Sequence, residues 1–125
     1  ATPIPTRPAT PTPQPVFRLL GQQQICGEEP APRIEVETLN ALLDPMPGVE
    51  ILVNWDDGSD HFFTGFKPAF GAGYGDFEMT PGISYSVRVA EGSPEVSGLR
   101  VETCENGLPG GWRLTFQYLR LSDSE

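Results

Sequence analysis

The sequence is poor in the side chains from which most active sites and nucleic-acid interfaces are built. It holds one histidine, His61, one lysine, Lys67, and two cysteines, Cys26 and Cys104. A Ser-His-Asp arrangement would have to bring His61 to Ser59, Ser84 or Ser86, and no G-x-S-x-G elbow is there to expose such a serine. No C-x-x-C or histidine cluster offers a zinc site. Eight basic residues against 17 acidic ones leave a net charge of −9, which argues against nucleic acid as a partner, since phosphate binding needs a basic face. No apolar run approaches the roughly 18 residues of a membrane-spanning helix. Asn40, Asn54 and Asn106 all fall outside the N-glycosylation sequon. These absences lead to the expectation of a non-enzyme with no cofactor and no membrane span.

Glycine and proline, by contrast, are plentiful at 14 each in 125 residues. A chain of that length fits one domain, and that composition disfavours a helical bundle and favours short strands joined by turns. Both charge and proline are unevenly spread. Residues 1–27 carry Arg7 and Arg18 and no acid, whereas the rest of the chain holds all 17 acids. Six prolines fall within residues 1–15, interleaved with Thr2, Thr6, Thr10 and Thr12. Proline fixes φ and lacks an N–H, so this tract favours an extended polyproline II rod over helix or sheet. The division expected is a Thr/Pro-rich arm or linker over residues 1–15 and a β-domain over residues 16–125. Thr/Pro tracts of this kind form O-glycosylated stalks outside the cell, which makes the four threonines candidate sugar acceptors. A chain that begins at Ala1 without a leader is compatible with a processed secreted protein or with a fragment of a longer one.

Alternation of apolar and polar residues is clearest in three stretches. Val49, Ile51, Val53 and Trp55 point one way within Gly48–Trp55; Tyr85, Val87 and Val89 form a second set; Trp112, Leu114, Phe116 and Tyr118 form a third. Val16–Cys26, Arg33–Leu39, His61–Gly65, Gly75–Met79 and Leu99–Cys104 are weaker strand candidates. Turn signals separate them at Asp57-Gly58, Pro81-Gly82 and Asn106-Gly107. Seven or eight short strands predict an all-β, antiparallel, Ig-like sandwich. The two cysteines allow one pairing, Cys26–Cys104, and a disulfide there is expected from an oxidising compartment; the competing reading is two buried thiols in a reducing one.

The run Thr64…Gly73-Tyr74-Gly75-Asp76-Phe77-Glu78-Met79-Thr80-Pro81-Gly82-Ile83-Ser84-Tyr85-Ser86-Val87, with Pro47-Gly48-Val49 upstream, resembles carboxypeptidase-regulatory-like and collagen-adhesin B-type domains of bacterial surface proteins. The resemblance covers residues 33–120 and implies a prealbumin-like sandwich in an extracellular or cell-surface setting, set off by a Thr/Pro linker. Some adhesin domains of this type carry an internal Lys–Asn isopeptide. Lys67 lies in a loop or at a strand end here, and the last strand has no asparagine, so the sequence departs from that pattern.

Three further groups invite a ligand. Asp56, Asp57 and Asp60 supply three carboxylates within five residues, a beginning for calcium, yet without the D-x-D-x-D-G spacing; a hairpin turn explains them equally. Phe62, Phe63, Phe66, Phe70 and Tyr74 could offer an aromatic platform to a glycan or a subunit, although alternation sends about half of them inward. Val16, Phe17, Leu19 and Leu20, within Val16–Gln24, could serve as an assembly arm that adds a strand to a neighbour's sheet edge. The sequence thus leads to a structural module that forms a homo-oligomer, filament or fibre. Its rival is a carbohydrate- or protein-binding accessory module of a secreted enzyme or adhesin.

Overall fold

The computed structural model describes residues 16–26 and 32–120, which form two β-sheets packed face to face. In chain order the strands are β1 (Phe17–Ile25), β2 (Arg33–Leu39), β3 (Glu50–Trp55), β4 (Gly58–Phe63), β5 (Tyr74–Glu78), β6 (Tyr85–Val89), β7 (Val96–Leu99), β8 (Glu102–Thr103) and β9 (Pro109–Tyr118). One sheet has the order β1-β9-β2-β5, with β8 added to β9; the other runs β4-β3-β6-β7. Among the described residues the only helical element is a 3₁₀ turn, Pro68–Phe70, and no helix is long and apolar enough to cross a membrane. The all-β sandwich is therefore the fold. The Thr/Pro tract, with Thr2, Thr6, Thr10 and Thr12, lies outside the described residues.

The strands follow the alternation of the sequence because each buries one face. Ile34 and Val36 of β2, Ile51 and Val53 of β3, Val87 and Val89 of β6, and Leu114 and Phe116 of β9 are all 0% exposed and meet in one core. Two details depart from expectation. Leu99–Cys104 is not one strand: β7 ends at Leu99 and β8 starts at Glu102, each pairing a different sheet. The sandwich is also not wholly antiparallel, because β2 and β9 pair parallel, Ile34 opposite Trp112 through Leu39 opposite Gln117.

Turn chemistry acts where the sequence places it. Gly82 adopts φ 92 in the Pro81-Gly82 turn, and the buried Tyr85 ring sends its hydroxyl back to accept the Thr80 N–H at 3.0 Å. Gly73 lets the chain run against β2, since a Cβ there would collide with the Thr38 carbonyl. Beside it, the Thr38 and Thr64 hydroxyls are fully buried and 3.0 Å apart. Thr38 donates to the Met46 carbonyl at 2.7 Å, and Thr64 accepts the Val49 N–H at 3.1 Å. This pair satisfies the backbone of the β2–β3 connection, where it turns between the sheets.

Candidate functional site: a clasped strand pair

β1 and β9, the first and last strands, lie side by side and antiparallel, from Phe17 opposite Tyr118 to Ile25 opposite Gly111. The pairing has a bulge between Leu19 and Gly21. The bulge resolves the poor alternation of this stretch: Phe17 is 0% exposed, Val16 and Leu19 pack against the core, and Leu20 is turned outward. Of the four residues expected as an assembly arm, Phe17, Val16 and Leu19 thus contribute to this chain's own core, and Leu20 faces out. Giving this strand to a neighbour would empty the core position of Phe17, whose ring lies 5.1 Å from that of Tyr118.

The antiparallel register brings both described chain ends to one pole. The Leu119 N–H donates to the Val16 carbonyl at 2.8 Å, and the Val16 and Phe17 N–H groups both donate to the Gly92 carbonyl. The opposite pole is closed covalently. Cys26, one residue past β1, is bonded to Cys104, one residue past β8, with Cα atoms 5.8 Å apart. The buried Cys104 is held by the β8–β9 hairpin: its N–H donates to the Leu108 carbonyl at 2.8 Å and its carbonyl accepts from Gly107 at 2.9 Å. The two cysteines are 78 positions apart in sequence, so the clasp ties off everything between them.

The other candidate groups separate in space. Asp56 and Asp57 form the two-residue connection between Trp55 and Gly58, while Asp60 accepts the N–H of His61 from its place on β4. Among the described residues no three His, Cys, Asp or Glu side chains are grouped to hold a metal. His61 lies at the exposed face of β4, its Nδ1 2.6 Å from Glu50 Oε2. Ser86 instead pairs with Ser97, at 3.3 Å.

The aromatic cluster divides. Tyr74 is 6% exposed, whereas Phe66 and Phe70 are 76% and 65% exposed and Phe63 stands at 37%. Phe63, Phe66 and Tyr74, with Phe62, line an open cleft of about 250 Å³ at the β4 and β5 edge, and Phe70 stands outside it against the Tyr74 ring. At the base of the cleft the Asp76 carboxylate receives Lys67 Nζ at 2.7 Å and the Tyr74 hydroxyl at 2.8 Å, with Arg33 at 3.5 Å. Lys67 thus makes an ion pair across this cleft. Burial, and after it the hydrogen bond to Asp76, pushes the Tyr74 hydroxyl well above the ordinary phenol range. Sequence reasoning missed this group, although Tyr74 and Asp76 share one face of β5 by simple alternation.

No family model and no curated relative matches the sequence. Among solved structures, the C-terminal fragment of the pilus adhesin SpaC from Lactobacillus rhamnosus GG is similar over 82% of this chain and 60% of its own, at 9% identity and TM-score 0.46. A second structure of pilus adhesin SpaC from the same organism is similar over 78% of this chain and 18% of its own, at 10% identity and TM-score 0.44. The chain spans less than two thirds of either of these proteins.

Proposed function

We propose that the chain is a non-enzymatic structural module of an extracellular bacterial surface protein, a clasped bead that the Thr/Pro tract spaces from its neighbours. The observation that carries this reading is the strand pair zipped between the two chain ends and closed by Cys26–Cys104 at its far pole. Tension applied at residues 16 and 119 meets the β1–β9 ladder at its open end. Such a ladder yields one bond at a time, until the opening reaches the disulfide. Beyond it, the residues between the cysteines bear no tension, so β2–β7 cannot be drawn out while the bond is intact. Extension of the single molecule between its ends tests this. Reduction should lengthen the fully extended chain by about 27 nm, the reach of the 78-residue separation between the cysteines. Equal extension before and after reduction would refute the clasp's role.

A second reading, a glycan-binding accessory module, is favoured by the exposed Phe63 and Phe66 beside a cleft floored by Lys67 and Asp76. Saturable binding to a polysaccharide that Phe66→Ser abolishes would select it.

A further inference from the structure

The pole that carries both described chain ends also carries an apolar groove of about 550 Å³, lined by Leu42, Pro45, Met46, Pro47 and Tyr118. Around it stand three large apolar side chains turned to solvent: Leu42 at 72%, Leu43 at 56% and Leu119 at 44% exposure. Leu43 also has φ 71, the only positive φ of a non-glycine residue among those described. A bulky aliphatic residue in that conformation is strained, and it persists because its surroundings hold it. They do so firmly. The Asn40 side-chain oxygen accepts the N–H groups of Leu42 and Asp44, both at 2.9 Å, and Gln117 Nε2 donates to the Ala41 carbonyl at 3.0 Å. The Thr38–Thr64 pair fixes Met46 from below. The groove is pre-organised, so a ligand would not have to bear the entropy of forming it.

We propose that this groove is the seat of the chain's own Thr/Pro tract, residues 8–15 lying across Leu42, Met46 and Tyr118. Three observations select that occupant. First, the tract joins the fold at Val16, whose carbonyl is bonded to Leu119, the residue after the groove-lining Tyr118. Second, residues 8–15 have the sequence PATPTPQP, with four prolines and no charge. A polyproline II segment of that length spans about 25 Å and loses little entropy on docking, which is why proline-rich segments suit grooves with an aromatic wall. Third, the tethered segment acts at an effective concentration in the millimolar range, which exceeds that of any free partner in dilute solution. Entry and groove share a pole, so a reciprocal exchange of tracts between two copies would form a closed pair. The consequence is a stiff joint: the bead is held at a set angle on its stalk. The inference depends on this pole and not on the mechanical role, so either can fail alone.

Nuclear Overhauser measurements on the full chain, with methionine methyls labelled, test it. Met46 lines the groove and the buried Met79 serves as control. Met46 and the Tyr118 ring should show contacts to proline and threonine protons of residues 8–15, and Met79 none. The amides of Thr10, Thr12 and Gln14 should have order parameters near those of ordered backbone, falling below about 0.6 in Leu42→Asp. Leu42 is largely solvent-exposed, and an unmoved Met79 signal will show that the variant is folded. Absence of the contacts, or free-chain order parameters in the unaltered protein, would overturn the proposal. So would contacts seen only between differently labelled copies, which would assign the groove to a neighbour's tract.

Discussion

The Tyr74 hydroxyl shows how one buried polar atom sets a stability limit. Its ring is 6% exposed and its proton is directed at Asp76 Oδ2, 2.8 Å away. Ionising it would place two negative oxygens in contact at the base of the cleft, with Glu35 adding to the repulsion and Arg33 opposing it weakly. In the unfolded chain the phenol titrates near its ordinary value of about 10. The folded form therefore binds a proton that the unfolded form has released, and stability present below about pH 10 is lost as the pH rises above it. Denaturant midpoints across pH 8–11 should fall steeply at the alkaline end, and Tyr74→Phe should flatten that limb. A limb of the same slope in Tyr74→Phe would show that another group governs it. Tyr85 has a comparable ring but a different task, its hydroxyl serving the Thr80 N–H. That role was legible from the spacing Pro81-Gly82-x-x-Tyr85, whereas Tyr74–Asp76–Lys67 depends on a loop whose course no periodicity encodes.

At the scale of elements, alternation determines which face of a strand is buried but not which strand lies beside it. β3, β6 and β9 are readable because each presents an uninterrupted apolar face, as in Ile51 and Val53 or Leu114 and Phe116, whereas β2 reads more weakly because its buried face ends in Thr38. The parallel pairing of β2 with β9 is not, since it joins segments distant in sequence through packing that only the assembled sheets define. The groove is equally illegible: Asn40 hints at a turn, but nothing local announces a leucine at positive φ. β1 lies between these cases. Its bulge breaks the period, so Val16–Gln24 reads from sequence as a segment free to pair elsewhere, while the fold seats Phe17 in the core. Phe17→Ala should therefore cost about 3–5 kcal/mol in urea unfolding, the range for emptying a buried aromatic site. Leu20→Ala, two-fifths exposed on the outward side of the same strand, should stay within about 0.5 kcal/mol. Equal and small effects would mean that the strand is held loosely and could be donated.

At the scale of the whole molecule, the clasp and the strand order act together. Much of the chain's order is long-range: β1 and β9 bracket the sequence, and their pairing can form only after a closure of nearly the whole described chain. The bond between Cys26 and Cys104 makes that closure permanent in the unfolded state. In the chain-entropy account a loop of 78 residues is worth about 4.5 kcal/mol, a large share of the total stability of a small domain. Reduction, or replacement of both cysteines by alanine, should lower the urea midpoint accordingly and leave a protein that is marginally folded at body temperature. The loss should appear chiefly as slower folding if the clasp acts by pre-closing the loop, because the reduced chain must find the β1–β9 register by search. If unfolding accelerates instead while folding is unchanged, the bond acts in the native state by resisting the opening of the far pole. Measuring both rates with and without reductant decides between the two.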